Sequence, residues 1–349
     1  MRKLEITWRP SHIAFISPKK ADMSLQVIDR KLLNLAQLEF PILQEPFAAL
    51  GSRLGLSEDE VLKRLHYLKE VRIIRSIGPT FDATRLGYHN TLVTMHLEEK
   101  LVEAAADLIN HNAGVSHNYL RDNYFNLWFT LSATKDTNLD AIAAKLGEDA
   151  GAEITLSLPS LRVFKIMVYF DMLNEGDVPQ TSESTYTPIN EAGDLADTDK
   201  ELIRELQQGL PLEKRPFDRM AATLSLEVNQ LLKRIASLKG SGIIRRYGAR
   251  LDHRRAGFTA NAMSCWLVAP AKVDRVGQTI ARHRQVSHCY ERKTAPQWPY
   301  NLYAMIHGHT EEECSTLASK LSQDTGIEGY VLLYSTREYM KRSPRYFAE

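Results

Sequence analysis

The strongest constraint on this chain is that it repeats itself. Residues 29–87 lie on residues 199–257 at an offset of 170 without a gap, and 20 of the 59 positions are identical. Pro46-Phe47 meets Pro216-Phe217, Lys63-Arg64 meets Lys233-Arg234, and Ile73-Ile74-Arg75 meets Ile243-Ile244-Arg245. Gly78, Asp82, Arg85 and Gly87 meet Gly248, Asp252, Arg255 and Gly257. The offset becomes 171 where Val115-Ser116-His117-x-Tyr119-x-Arg121 meets Val286-Ser287-His288-x-Tyr290-x-Arg292. It becomes 175 where Asn126-Leu127 meets Asn301-Leu302 and Ser160-x-Arg162 meets Ser335-x-Arg337. Solenoid units run to about 50 residues, so this longer period describes a duplicated module.

The joint between the copies is acidic. Residues 166–199 contain eight acidic residues and no Lys or Arg, and their middle, 174–197, is rich in Glu, Asp, Ser, Thr and Pro. Such a segment buries little and repels itself, which predicts an extended, solvated linker. It also explains the overall charge of +1: the joint carries −8 and leaves +9 on the rest. That balance argues against a uniformly basic nucleic-acid coat. No apolar run reaches the ~18–20 residues of a membrane span, and residues 1–24 show no signal-peptide core. Cys265, Cys289 and Cys314 are odd in number and form no CxxC pair, which suits reduced thiols and a cytoplasmic location.

Each copy opens with helical signals. Leu25, Ile28, Leu32 and Leu35 share one helical face. Pro46 suits the first turn of a second helix, and Ser57 with Glu60 forms a capping box for a third. Copy two has Glu227 in place of Ser57, a weaker expected cap. Ile73-Ile74-Arg75-x-x-Gly78 and Phe81-Asp82 then read as a β-hairpin, completing a winged helix-turn-helix. The remainder of each copy alternates as βαββαβ, the order of a ferredoxin-like domain. The expected organisation is α+β: an extension at 1–24, winged helix-turn-helix units at 25–88 and 198–258, ferredoxin-like domains at 89–173 and 259–349, and the linker at 174–197. The two copies are expected to pair as an intramolecular pseudo-dimer, helped by the tether.

The repeated His-x-Tyr-x-Arg is the main chemical signal. Strand periodicity puts His117, Tyr119 and Arg121 on one face, and likewise His288, Tyr290 and Arg292. A single such strand is usually a solvated or satisfied face, and shared ancestry alone can repeat it. Cys289 points to the opposite face and reads as core. Arg162 and Lys165 either rim a pocket or form a solvated strand end, with Arg337 and Lys341 roughly equivalent. Trp128 and Trp298 either pack the core or stack on a ligand. His307-x-His309 has strand spacing compatible with a metal pair, but no nearby carboxylate or Cys completes a set, so no metal site is expected.

A winged helix followed by βαββαβ resembles the Lrp/AsnC regulators. The strings GVSHNYLRDNYFNLWFTLSA (114–133) and VSHCYERKTAPQWPYNLYAMIHG (286–308) are similar to the two subunits of sirohaem decarboxylase, AhbA and AhbB, in that order, as in NirDL-type fusions. The resemblance implies loss of carbon dioxide from two acetate arms of sirohaem, a step toward haem or the haem of a nitrite reductase. It implies no redox cofactor, since the iron arrives with the substrate. Such chemistry needs a proton donor, and His is the side chain that ordinarily titrates near neutrality. His117 and His288 are therefore the expected acids, with axial ligation of the iron as an alternative use. Arg121 and Arg292 would anchor retained carboxylates, beside Tyr119, Tyr290, Trp128, Arg162, Lys165, Arg245 and Arg246.

The opposing reading is a DNA-binding regulator or a haem sensor. Arg245, Arg246, Arg250, Arg254 and Arg255 form a credible phosphate stripe. Against it, the first recognition-like helix opens with Glu58-Asp59-Glu60, where base contacts are normally made. DNA is therefore not an expected partner, and a tetrapyrrole is.

Overall fold

The computed structural model describes residues 25–173 and 195–347. The extension at 1–24 and nearly all of the acidic linker lie outside the described residues. Copy one runs α1 (Val27–Leu38), α2 (Pro46–Leu54), α3 (Glu58–Glu70), β1 (Ile74–Phe81), β2 (Tyr88–His96), α4 (Val102–His111), β3 (Val115–Arg121), β4 (Leu127–Thr134), α5 (Leu139–Ala150) and β5 (Ile154–Ile166). Copy two repeats it as α6 (Asp197–Leu206), α7 (Asp218–Thr223), α8 (Val228–Gly240), β6 (Ile244–Leu251), β7 (Ala260–Trp266), α9 (Val273–Arg282), β8 (Val286–Arg292), β9 (Leu302–Gly308), α10 (Glu311–Thr325) and β10 (Tyr330–Lys341).

Local chemistry sets the helix ends. Pro46 occupies the first turn of α2. Ser57 accepts from the Glu60 N–H at 3.2 Å. In copy two Gln230 reaches back and accepts from the Glu227 N–H at 3.4 Å, so a reciprocal capping box replaces the hydroxyl cap.

The expected hairpin after the third helix is corrected. β1 does not fold back on its own copy; it pairs antiparallel with β6, with Gly78 opposite Gly248. The reason is the turn that follows. Asp82 accepts from the N–H groups of Thr84 and Arg85, and Asp252 from that of Arg255. These turns send each chain away into the next domain, and the open strand edge is covered by its own repeat. The two helical units consequently share one core, with Leu32, Phe47 and Leu65 beside Leu202, Phe217 and Ile235.

The βαββαβ domains pair in the same way. Each sheet has the ferredoxin-like order, β3-β4-β2-β5 and β8-β9-β7-β10, and the pairings β5–β8 and β10–β3 close all eight strands into one barrel. α4 and α5 cover one outer face, and α9 and α10 the other. Trp128, Trp298, Phe125 and Tyr303 pack inside. The fold is thus a tandem α+β duplication closed as an intramolecular pseudo-dimer.

The segments leaving β5 and β10 fix the helical pair above one end of the barrel. Gln37 donates to the Phe170 carbonyl at 2.9 Å and accepts its N–H at 3.0 Å. Gln207 does the same with Tyr346, at 3.0 and 2.7 Å. Each buried bond contributes about 0.5–1.5 kcal/mol. β3 and β8 begin at this covered end.

Candidate active site

The two His-x-Tyr-x-Arg faces line the inside of the barrel. Ladder irregularities between Val115 and His117, and between Val286 and His288, turn the following residues inward. β3 and β8 lie on opposite sides of the eight-strand ring, so the two faces look at each other. The histidines stand at the covered mouth and the arginines deeper. Arg121 donates to the Leu333 carbonyl at 2.7 Å, and Arg292 to that of Leu158 at 3.0 Å. Arg121 lies over the Tyr119 ring at 5.5 Å, and Arg292 over Tyr290 at 4.9 Å. Both guanidiniums are buried, and no ion pair to either is found among the described residues. Burial lowers the Arg121 pKa to about 10 and raises the Tyr119 and Tyr290 phenols. Two desolvated cations without a carboxylate constitute a ready anion site.

Ser116 Oγ lies 2.9 Å from His117 Nδ1, and Ser287 Oγ 2.9 Å from His288 Nδ1. Each serine orients its ring and leaves Nε2 for the cavity. The surroundings then diverge. Lys341 lies in register opposite His117, whereas Ile166 lies opposite His288. Ser287 Oγ also lies 2.6 Å from His307 Nε2. His253, before β7, meets Lys341 Nζ at 3.0 Å through Nδ1, and its ring centroid is 6.0 Å from that of His307. Phe170 packs against both rings. From above, the β1–β6 ribbon presents Arg75, paired with Asp252 at 2.6 Å, and Arg245, paired with Asp82.

This cluster alters the expected histidine chemistry. Burial, reinforced by Lys341 and Arg75, pushes His117 down to about 4. Burial, reinforced by His307 and His117, pushes His288 down to about 3. His253 and His307 fall to about 3 for the same first reason. These shifts all favour the neutral imidazole at pH 7. Lys341 is lowered to about 8, chiefly by burial.

The remaining candidates scatter. Trp128 is buried in the barrel core, donating to the Phe125 carbonyl at 2.6 Å and packing edge-on against Trp298. Arg162 sits outside, paired with Asp274 and with Glu291 at 3.2 Å. Lys165 donates to the His283 carbonyl at 2.8 Å, beyond the C-terminus of α9. Its expected equivalence to Lys341 is also corrected, because Lys341 occupies the place of Ile166. Arg246 donates to the Val168 carbonyl on a segment linking barrel and helices. His309 meets the Gly257 carbonyl at 3.0 Å and stacks on Phe258, so it does not converge with His307. A groove of about 510 Å³ between the helical units, lined partly by Lys69, Glu205 and Arg219, shares Arg75 with this site but none of its histidines.

Sequence reasoning left His253, Arg75 and the two serines out of the site, weighed Lys341 only as a pocket rim or solvated strand end, and read His307 only as half of a metal pair. The available signal was asymmetry within the repeat. His253, His307 and Lys341 stand where copy one has Ala83, Ser132 and Ile166.

Comparison with known proteins agrees with this architecture. Residues 85–165 and 255–340 match the family described as "AsnC-like ligand binding domain". Residues 29–75 and 199–245 match the "Siroheme decarboxylase NirDL-like HTH domain". A sirohaem decarboxylase of Hydrogenobacter thermophilus is 38% identical over 91% of this chain and 95% of its own. A sirohaem decarboxylase beta subunit of Methanosarcina barkeri is 40% identical over 42% of this chain and 97% of its own. The crystal structure of the sirohaem decarboxylase NirDL in complex with an iron-uroporphyrin III analogue superposes with a TM-score of 0.68 at 34% identity, covering 92% of this chain and 95% of that one.

Proposed function

This chain belongs to the sirohaem decarboxylases, and we propose that its barrel mouth is where two acetate arms of sirohaem lose carbon dioxide to give didecarboxysirohaem. Each step replaces a carboxylate by hydrogen: R–CH2–CO2⁻ plus one proton gives R–CH3 and CO2. Electrons left by the departing carbon dioxide enter the macrocycle, and the proton comes from the protein or solvent. No net oxidation occurs, and no further cofactor enters the proposed reaction.

The observation that carries this assignment is the pairing of His117 and His288 across the mouth, above two buried arginines without carboxylate partners. Sirohaem brings eight carboxylates. Arg121 and Arg292, backed by Tyr119 and Tyr290, would hold retained ones, because gripping the departing group equally in ground and transition states does not accelerate its loss. Arg75 and Arg245, already paired with Asp252 and Asp82, hold the ribbon above the mouth, and the helical pair serves as a lid. The N-terminal turn of α3 remains acidic, with Asp59 bound to Lys214 at 2.9 Å, which suits a lid better than a DNA reader. Three buried, unpaired thiols suit a reducing compartment.

The polyanion also reverses the field on the histidines, raising pKa values that burial among cations holds down. Either ring could present Nε2 as an acid or as an axial ligand to the substrate iron. The deciding experiment is anaerobic incubation of the pure protein with sirohaem, followed by product mass. Loss of two carbon dioxides supports the reading; unchanged sirohaem overturns it. If His117→Ala and His288→Ala each convert sirohaem at the wild-type rate, neither is the acid. An iron spectrum changed by only one substitution identifies the ligand.

A further inference from the structure

Behind His288, and not behind His117, lies a directional chain of hydrogen-bonding groups. Its far end is the half-buried Lys341 ammonium, 3.0 Å from His253 Nδ1. An ammonium has no lone pair, so Lys341 donates and His253 carries its proton on Nε2. That nitrogen is buried without a partner, and so is His307 Nδ1. The two orphans do not bond each other; they belong to rings whose centroids are 6.0 Å apart, a gap that one bridging water would span. His307 then holds its proton on Nε2, 2.6 Å from Ser287 Oγ. Ser287 has one proton to give and offers it to His288 Nδ1 at 2.9 Å. His288 is thereby left with N–H on Nε2, facing the cavity. With a bridging water closing the gap between His253 and His307, every link points the same way.

Building on the decarboxylase reading, we propose that Lys341, His253, His307 and Ser287 form a relay that delivers protons to His288, making His288 the reloadable acid of the pair. When His288 Nε2 gives its proton to the carbon losing CO2, Nδ1 takes the Ser287 proton. Ser287 is refilled from His307, His307 from His253, and His253 from Lys341, which recovers its proton from water. One proton enters and one leaves per carboxylate, no imidazolate accumulates, and ring flips of the three imidazoles with rotation of the Ser287 hydroxyl return N–H to His288 Nε2 before the second loss. A neutral imidazole can thus serve as an acid because the charge lost lies at the far end. Copy one has Ser116 behind His117, but Ala83, Ser132 and Ile166 occupy the other relay positions. His117 has an orienting hydroxyl and no comparable chain.

The test is steady-state turnover of sirohaem under anaerobic conditions for the full chain and for Ser287→Ala, His307→Gln and Lys341→Met. Expected are losses in kcat of about 10–100-fold, little change in KM, and an altered solvent deuterium isotope effect. Imidazole should rescue His307→Ala. Ser132→Ala, the copy-one counterpart, should turn over like wild type. If all three relay variants that fold keep kcat within about twofold of wild type, or lose KM and kcat together without imidazole rescue, the relay is overturned. Should His307→Gln not fold, Ser287→Ala and Lys341→Met decide by the same criteria. Wild-type turnover with unimpaired relay variants refutes the relay alone. Absence of wild-type turnover refutes the decarboxylase reading on which it rests.

Discussion

The two halves of the barrel rim share one backbone and differ in chemistry. Passing from His288 to His117 through β9, β7 and β10, the rim carries His307, His253 and Lys341. Passing the other way through β4, β2 and β5, the corresponding places hold Ser132, Ala83 and Ile166. Duplication retained the strand order that closes the barrel, and with it His-x-Tyr-x-Arg and its Ser. The divergent positions lie at strand ends, and those ends surround the mouth. A symmetric fold has thereby acquired an asymmetric proton supply around a substrate whose acetate arms leave one at a time.

The largest expected effect separates the two histidines. Removing a positioned acid typically costs 10²–10⁴-fold in rate. His288→Ala should fall in that range, with His117→Ala losing less kcat and showing more of its effect in substrate affinity or the iron spectrum. Single-turnover rates with sirohaem measure both. The reverse ranking would mean that the relay side of the rim is not the catalytic side.

The ribbon offers a second contrast. Gly78 and Gly248 face each other, yet a Cβ on Gly248 would lie 2.6 Å from the Gln37 carbonyl, while one on Gly78 meets nothing closer than 3.6 Å. Gly248→Ala should therefore cost about 1–3 kcal/mol by overpacking. Gly78→Ala should be neutral or gain about 0.4–1 kcal/mol by restricting the unfolded chain. Chemical denaturation distinguishes them, and equal losses would show that α1 and α6 approach the ribbon alike.

Much of this was legible in the chain itself. The duplication, the order of elements and the paired His-x-Tyr-x-Arg faces follow from offset and periodicity, since both are local. The β1–β6 ribbon was not, because a strand's partner is a long-range fact and Ile73–Asp82 fits a hairpin as well as half of a shared ribbon. Arg162 and Lys165 stood between a pocket rim and a solvated strand end for a related reason: ladder irregularities along β5 disrupt alternation, so the sequence does not fix their faces. His253 and Lys341 lie 88 residues apart and meet only once the barrel closes. Their signature is a departure from the repeat, at positions where copy one has Ala83 and Ile166.

The smallest expected effect tests the same asymmetry through acid stability. A histidine held neutral by burial has a folded pKa below its unfolded value of about 6.5. Between the two values the unfolded chain binds a proton that the folded chain refuses, so stability rises with pH there. Above both, the group contributes no slope; as pH falls below about 6.5, stability drains at up to 1.4 kcal/mol per pH unit per histidine. His117 is held down to about 4, and His253, His288 and His307 to about 3, so the relay half contributes three of these four rings. His307→Ser installs the residue that copy one already tolerates at this strand position, as Ser132. Urea unfolding of wild type and variant should run parallel above pH 7 and diverge below it, with the variant losing about 2 kcal/mol less than wild type by pH 5. Parallel curves throughout would mean that His307 is solvated well enough to titrate normally, and so is poorly placed to pass a proton inward.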